Sequence, residues 1–261
     1  MSDQKPEYRV PGAMWIAFAV LVFFLGALYQ KNQTLQGKGG ILGLTAENSA
    51  SPTVSQQQAA QPTFKPFDYK KETGTYAPLG NKDAKVKIVV FSDFECPYCG
   101  ALDGYNTQVM DSLKSRMPGW EPAIPNIIKD YVDSGKAELF FRDYPAHQDS
   151  NTMHNAARCA NEQGKFWEIH DKLFALQDEG GVGTDASAKM NELAANLGLD
   201  TEKFSACLTA KKYDTKVQGD LQAAQALGVQ GTPHVFINSQ SVSGADTYAS
   251  FKKLIDAELA K

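Results

Sequence analysis

The chain has 261 residues, a formal net charge of −4 and four cysteines. The length allows one or two domains, and four cysteines are too few for a disulfide-dense scaffold but enough for two pairs. The sequence has neither a basic cluster nor an interleaved basic and aromatic stripe, which argues against a nucleic-acid-binding protein.

The first element along the chain is an apolar run over residues 12–29 without charged side chains. A helix of this length spans roughly 27 Å, close to a bilayer core of about 30 Å, and Trp15 and Tyr29 suit the two membrane interfaces. A cleaved signal peptide and a buried helix of a soluble domain are the alternatives. Against the signal peptide, the run exceeds a usual h-region and no clear A-x-A site follows it. We therefore expect an uncleaved, single transmembrane helix.

The segment after this helix, residues 30–75, is predicted to be a flexible linker because it is polar, punctuated by proline and without periodicity. Basic residues on the two sides of the helix are nearly balanced, so they do not set its orientation. The cysteines do, since a redox pair and a second possible disulfide belong in an oxidising compartment. We expect residues 1–11 in the cytoplasm and the folded domain, residues 76–261, on the extracytoplasmic side of the cell membrane.

The folded domain is predicted to be α/β. Hydrophobic patterning alternates between strand-like runs and amphipathic helices, and a strand, helix, strand order implies a right-handed parallel crossover. In chain order the predicted elements are a buried strand over 85–91, a helix over 97–117, a helix over 125–132, a strand over 137–142, a helical insertion over about 148–226, a strand over 234–238 with a hairpin partner over 241–244, and a helix over 248–259.

The motif Cys96-Pro97-Tyr98-Cys99 stands directly after the first predicted strand and opens the following helix. The unpaired N–H groups and the dipole at a helix N-terminus stabilise a thiolate, the reactive form of cysteine. Pro97 suits the first helical turn, and Pro97 and Tyr98 together are expected to tune the redox potential. Half of a zinc site is the alternative, but the histidines of the chain show no ligand spacing. We expect a redox pair and neither a metal nor a cofactor.

Residues 85–261 resemble the DsbA-like disulfide oxidoreductases of the thioredoxin superfamily. The resemblance rests on the strand-CPYC-helix opening, an insertion containing residues 164–170 (GKFWEIH), the Gly-Thr-Pro element at 231–233, and the closing helix. It implies a thioredoxin fold (βαβ–ββα) with a helical insertion. It also implies a cis peptide bond between Thr232 and Pro233, in a loop that binds an extended substrate segment by strand addition.

One position departs from this pattern. Many thioredoxin-fold proteins have a buried carboxylate six residues before the first active cysteine, where this chain has Val90. Asp93 and Glu95 are closer to the motif, but the sequence assigns neither of them that role. Of the histidines, His234 beside the predicted cis-proline is a better candidate for modulating the site than His170.

The second cysteine pair, Cys159 and Cys207, falls in the helical insertion and lacks CxxC spacing. We expect a structural disulfide, and two buried reduced thiols are the alternative. Trp167, in the same insertion, is expected to pack in the core.

The resemblance implies a thiol:disulfide oxidoreductase that forms disulfides in exported proteins. A substrate thiolate would attack Cys96, a mixed disulfide would form, and a membrane redox partner, expected to be a quinone-linked enzyme, would re-oxidise the Cys96–Cys99 pair. Two alternatives remain. One is a reductase or isomerase kept reduced by a membrane electron donor; the other is a non-enzymatic binding module, which the placement of CPYC disfavours.

Overall fold

A computed structural model describes residues 76–147 and 149–261 of the chain. The predicted transmembrane helix (12–29) and linker (30–75) lie outside the described residues. Among the residues that are described, none of the helices combines the length and apolar character needed to cross a membrane.

A five-stranded mixed sheet forms the centre of the domain. Its strands are β1 (Leu79–Gly80), β2 (Val86–Ser92), β3 (Ala137–Asp143), β4 (His234–Ile237) and β5 (Gln240–Ser243). They lie in the order β1-β3-β2-β4-β5. The pair β2–β3 is parallel and the other three neighbouring pairs are antiparallel. This arrangement confirms the predicted thioredoxin-like fold.

Helices connect and cover these strands. Between β2 and β3 the chain forms α1 (Pro97–Leu102), α2 (Thr107–Arg116) and α3 (Ala123–Ile127), which continues into a π-helical turn (Ile128–Val132). Between β3 and β4 lies the helical insertion, and one helix closes the chain. These helices are α4 (Ser150–Asn161), α5 (Phe166–Glu179), α6 (Ala186–Asn196), α7 (Thr201–Thr209), α8 (Asp214–Ala226) and α9 (Tyr248–Leu259).

The prediction of one continuous helix over 97–117 is wrong. The chain leaves the helical path between α1 and α2, where Gly104 has φ +89° and Asn106 has φ 58°. Asn106 then starts a new helix, because its side-chain oxygen accepts the N–H of Val109 at 3.1 Å and caps α2. The two-residue strand β1 was not predicted, since so short an element carries no periodic signal.

Strand β2 is buried on both faces, and its side chains alternate between two apolar cores. Val86, Ile88 and Val90 pack in the core that also contains residues of α1, α2, α3 and α9, whereas Val89 and Phe91 pack in a smaller core with residues of β4 and α8. Burial on both faces holds β2 in place, and this positions the residues that follow it.

The helical insertion has a core of its own, and that core reaches the CPYC motif. Aromatic and aliphatic side chains of α4–α7 pack in one cluster with Phe94, Cys96 and Cys99. Trp167 packs against this cluster while only partly buried, and its indole N–H donates to the carbonyl of Ala77 at 3.1 Å. The insertion therefore supports the back of the candidate site.

Candidate active site

The two closely spaced cysteines lie where β2 gives way to α1. Cys96 is the N-cap residue of α1, and Pro97 takes a first-turn position where a missing N–H costs nothing. The N–H groups of Cys99 and Gly100 donate to the Cys96 carbonyl at 3.0 and 3.1 Å. The Cys96 sulfur thus lies at the positive end of a helix, and Cys99 is fully buried one turn further along.

The acid strengths of these two thiols are shifted in opposite directions. A hydrogen bond from the Cys99 thiol is the main reason that the pKa of Cys96 is lowered to about 6; burial opposes this shift, and the Thr232 hydroxyl and nearby backbone N–H groups add to it. Burial, followed by the hydrogen bond and charge of Cys96, raises the pKa of Cys99 well above its ordinary value. At neutral pH, Cys96 is therefore the more readily ionised of the two thiols, while Cys99 keeps its proton.

The loop before β4 meets the CPYC motif. The bond between Thr232 and Pro233 is cis. The Cys96 sulfur lies 3.5 Å from the Thr232 carbonyl oxygen and, as a thiol, donates to it. The structure therefore brings together the two sequence motifs that lie 136 residues apart in the chain.

An apolar groove of about 440 Å³ opens beside this contact. Tyr98, which is 44% exposed, lines the groove together with Leu113, Met117, Thr232 and Ala245. Pro97 lies in the first turn of α1 next to Tyr98. The groove therefore lies between Tyr98 of the CPYC motif and Thr232 of the cis-proline loop.

Asp93 is a buried carboxylate to which the sequence assigned no role. One of its oxygens accepts the Glu95 N–H at 3.0 Å and the Ser150 hydroxyl, and the other lies 2.7 Å from Nδ1 of His147. Burial acts to raise the pKa of Asp93, but the charge of His154 and these hydrogen bonds outweigh it, so the pKa is lowered. An ionised group therefore lies three residues before Cys96; the available signal was an aspartate directly after a buried strand.

Gln177 of α5 holds the backbone around Cys96. Its side-chain N–H₂ donates to the carbonyls of Phe94 at 2.8 Å and Cys96 at 3.1 Å, and its side-chain oxygen accepts from Asn106 at 3.0 Å. A Cβ built on Gly100 would lie 2.1 Å from that oxygen, so glycine leaves room for the glutamine. No sequence pattern pointed to Gln177, because the contact joins elements about 80 residues apart.

His234, the sequence's candidate for modulating the site, lies at the start of β4 and is buried. Burial lowers its pKa to about 4, so the ring is uncharged at neutral pH. His234 therefore brings no positive charge to the site under those conditions. His170 lies in α5, with its Nε2 3.7 Å from a carboxylate oxygen of Asp103.

Cys159 of α4 and Cys207 of α7 are joined by a disulfide, with Cα atoms 5.9 Å apart. Both residues are buried in the core of the insertion. Of the two arrangements that the sequence left open for this pair, the structure contains the bonded one.

Comparisons with known proteins agree with this geometry. A family model described as Thioredoxin matches residues 71–114 and 119–257. The chain is 31% identical, over 197 residues, to the probable disulfide bond formation protein D of Bacillus anthracis, and the match covers 72% of this chain and 80% of that protein. The oxidised form of BdbD from Bacillus subtilis is similar in fold, with a TM-score of 0.56 and 24% identity, over 72% of this chain and 97% of that one.

A second kind of relative contains a similar region within a longer protein. The Na(+)/H(+) antiporter NhaA 3 of Salinispora tropica is 32% identical over 168 residues, which is 63% of this chain but only 22% of the antiporter. Because so little of the antiporter is matched, its transport activity is not carried over to this chain.

Proposed function

Because the chain belongs to the thioredoxin family and is a thiol:disulfide oxidoreductase, we propose that it forms disulfide bonds in exported proteins through Cys96 and Cys99. The observation that carries the proposal is the opposite shift of the two thiol pKa values, with Cys96 at about 6 and Cys99 raised. A stabilised thiolate favours the reduced form of the pair, and this makes the oxidised form a donor of disulfides. The name of the Bacillus anthracis relative supports this direction.

The reaction has two exchange steps. A substrate thiolate attacks the Cys96 sulfur of the oxidised pair; the Cys96–Cys99 bond breaks, a mixed disulfide with Cys96 forms, and Cys99 leaves with the electron pair and takes up a proton. The second substrate thiolate then attacks the substrate sulfur of the mixed disulfide, and Cys96 leaves as a thiolate. Two substrate thiols become one disulfide, and the pair gains the two electrons.

We assign substrate binding to the cis-proline loop and the adjoining groove. Thr232 and Pro233 would pair through their backbone with an extended substrate segment, which is a form of strand addition. The exposed ring of Tyr98 and the apolar wall of the groove would contact substrate side chains on one side of the reacting sulfur. Pro97 and Tyr98 would tune the stability of the Cys96 thiolate, and the Cys159–Cys207 bond would be structural.

We also propose that the enzyme is anchored in the cell membrane through residues 12–29, with residues 1–11 in the cytoplasm. A flexible linker over residues 30–75 would extend roughly 35–40 Å, and residues 76–261 would act on the extracytoplasmic side. A membrane redox partner, expected to be quinone-linked, would re-oxidise the pair. Alkaline carbonate extraction tests the anchor, since a cleaved leader would release the protein from the membrane fraction.

The reduction potential of Cys96–Cys99 in the full-length protein tests the proposed direction of electron flow. The protein is equilibrated in glutathione buffers, and peptide-level alkylation follows each cysteine separately. We expect a potential near about −120 mV, as in a strong oxidant, and rapid oxidation of a reduced dithiol substrate. A potential near about −250 mV or lower would overturn the oxidase assignment and favour a reductase or isomerase.

The matched controls for this assay are two variants of the full-length protein. Cys96→Ser should abolish oxidation of the substrate, whereas a Cys159→Ala/Cys207→Ala variant should oxidise it with the same potential. Substrate oxidation by the Cys96→Ser variant would assign the activity to other residues.

A further inference from the structure

The loop between β3 and α4 is fastened to the segment that leads into Cys96. The Ala146 N–H donates to Oδ2 of Asp93 at 2.8 Å, and the Asp149 N–H donates to Oε2 of Glu95 at 2.8 Å. The carboxylates of Asp93 and Glu95, which precede the CPYC motif, thus bind two backbone N–H groups of one loop. These contacts hold His147, which follows Ala146, near the segment that leads into Cys96.

His147 is the ionisable side chain in that position. Its Nδ1 lies 2.7 Å from the fully buried carboxylate of Asp93, and its own side chain is 44% exposed. The ionised carboxylate can only accept, so Nδ1 donates to it, and the remaining ring nitrogen is free to face the surface. The ring is therefore fixed at one edge and open to solvent, and its charge interacts with that of Cys96.

Asp93 is itself the last carboxylate of a buried series of basic and acidic side chains. Arg158 binds Asp143 through its Nε at 2.6 Å, and Asp143 lies 2.7 Å from Nδ1 of His154. The other ring nitrogen of His154 lies 3.9 Å from Asp93. This series keeps Asp93 ionised, and an ionised Asp93 favours the cationic form of His147.

We propose that His147, held in place by Asp93, supplies a positive charge that stabilises the Cys96 thiolate as it leaves the mixed disulfide. This inference rests on the proposed function. His147 is thus a positioning and electrostatic residue for the second exchange step. No covalent bond to His147 forms or breaks, and no proton leaves it in this step. The departing sulfur takes the electron pair of the broken bond, and the imidazolium compensates the charge that develops there.

The charges around His147 agree with this role. The hydrogen bond to Asp93 is the main cause of its raised pKa, burial opposes it, and the charges of Asp93, Cys96 and Glu95 add to it. The pKa of Cys96 is about 6, so the thiolate and the imidazolium coexist from about pH 6 up to the raised pKa of His147. Above that range His147 becomes neutral and the stabilisation is lost.

Two substitutions of His147 in the full-length protein distinguish the effect of its charge from the effect of its hydrogen bond to Asp93. His147→Gln keeps a donor for Asp93 but removes the charge, whereas His147→Lys keeps a charge at all working pH values. The rate at which iodoacetamide alkylates Cys96 in the reduced protein is followed against pH at the peptide level. We expect the midpoint to rise by about 0.5–1 pH unit in the glutamine variant and to return to the wild-type value in the lysine variant.

The second exchange step provides an independent readout. In a Cys99→Ser background, a substrate thiolate that attacks the substrate sulfur of a preformed mixed disulfide should release the Cys96 thiolate about 3- to 10-fold more slowly in His147→Gln at pH 7. After correction for ionisation of the attacking thiol, this rate should fall at alkaline pH when residue 147 is histidine, and it should not fall in His147→Lys. An unchanged alkylation midpoint in His147→Gln, or a lysine variant that behaves like the glutamine variant, would overturn the inference.

These outcomes are distinct from a failure of the proposed function. A wild-type protein that does not oxidise dithiols would remove the oxidase assignment, whatever the alkylation midpoint. A wild-type oxidase whose Cys96 midpoint ignores His147 would keep that assignment and remove only the role of the histidine. Circular dichroism verifies that each variant is folded, and the same peptide maps verify that the Cys159–Cys207 bond is intact.

Discussion

The two cysteine pairs of this domain are alike in burial and unlike in everything that controls reactivity. Cys96 and Cys99 are 5% and 0% exposed, and Cys159 and Cys207 are 1% and 8% exposed. Burial alone therefore does not separate a free, polarised thiol pair from a closed disulfide. The difference lies in what surrounds the sulfur atoms.

Cys96 occupies a helix N-terminus, next to the cis-proline loop and close to two carboxylates and a histidine. Cys159 and Cys207 lie within α4 and α7, surrounded by the apolar core of the insertion. A sulfur at a helix start meets N–H donors that favour its anion, whereas a sulfur inside a helix meets none that are unpaired. The first environment supports exchange and the second supports a permanent bond.

The largest expected effect comes from replacing Cys96, the proposed nucleophile of the first pair. In Cys96→Ser, dithiol oxidation should fall by roughly three orders of magnitude or more, because a hydroxyl neither forms the disulfide nor ionises near pH 6. Stopped-flow measurement of substrate oxidation checks the rate. When a substrate that already contains a disulfide is given to Cys99→Ser, by contrast, the Cys96 thiolate displaces one substrate sulfur as a thiolate. Because Cys99 is absent and cannot resolve the product, the mixed disulfide should accumulate on a non-reducing gel. Equal losses without any trapped species would contradict the assigned division of roles.

The next effect concerns stability and belongs to the second pair. The Cys159–Cys207 bond closes a loop with a sequence separation of 48 residues. Replacing both cysteines with alanine should therefore lower the free energy of unfolding by about 4 kcal/mol in the chain-entropy account. Urea denaturation measures the loss, and the oxidation rate below the unfolding transition should remain that of the wild type. Lost activity in the folded variant would show that the two pairs are not separate in function.

The sequence predicted the regions around both pairs, but it did not predict the contacts that join them. Strand β2 and the helical insertion are local patterns that periodicity predicted, and CPYC stood out by its spacing and its place after the strand. The Gly-Thr-Pro element was identified through the resemblance to the DsbA-like oxidoreductases. The break at Asn106 was missed because a left-handed residue inside an amphipathic stretch does not alter the hydrophobic period. The partners of Asp93 and Gln177 come from distant elements, and only the packed fold decides which side chains reach them.

The comparison of buried titratable groups extends from Cys96, at the N-terminal end of α1, to a carboxylate at the C-terminal end of the same helix. Asp103, the C-cap residue, has a side chain only 5% exposed, and burial raises its pKa to about 7; the charge of His170 opposes this shift and that of Asp171 adds to it. The folded state thus holds this proton more tightly than the unfolded chain does. Stability contributed by this group falls as pH rises from about 4 to about 7, and the penalty is fully present above pH 7.

Asp103→Asn should remove that penalty. We expect the free energy of unfolding to rise by about 2 kcal/mol at pH 8 and to change little at pH 4, as measured by urea denaturation at both pH values. The amide keeps the shape of the carboxyl group, so packing should be unaffected. A gain that is equal at the two pH values would show that titration of Asp103 is not its source.

The smallest expected effect concerns the hydrogen bonds between the helical insertion and the backbone around the CPYC motif. Gln177→Ala leaves the carbonyls of Phe94 and Cys96 without their side-chain donor, and should lower the free energy of unfolding by about 1–2 kcal/mol. Gly100→Ala should cost a similar amount, because its Cβ would displace the same glutamine.

The two substitutions should not add, since both break one contact. Gly100 has no left-handed backbone angle that would strain an alanine, and alanine favours a helix over glycine by roughly 1 kcal/mol. In a Gln177→Ala background, Gly100→Ala should therefore be neutral or stabilising. A double-mutant cycle by urea denaturation measures this coupling. If Gly100→Ala were equally costly in both backgrounds, the close approach of α5 would not be the reason for glycine after the CPYC motif. The helical insertion would then support the reactive pair through apolar packing alone.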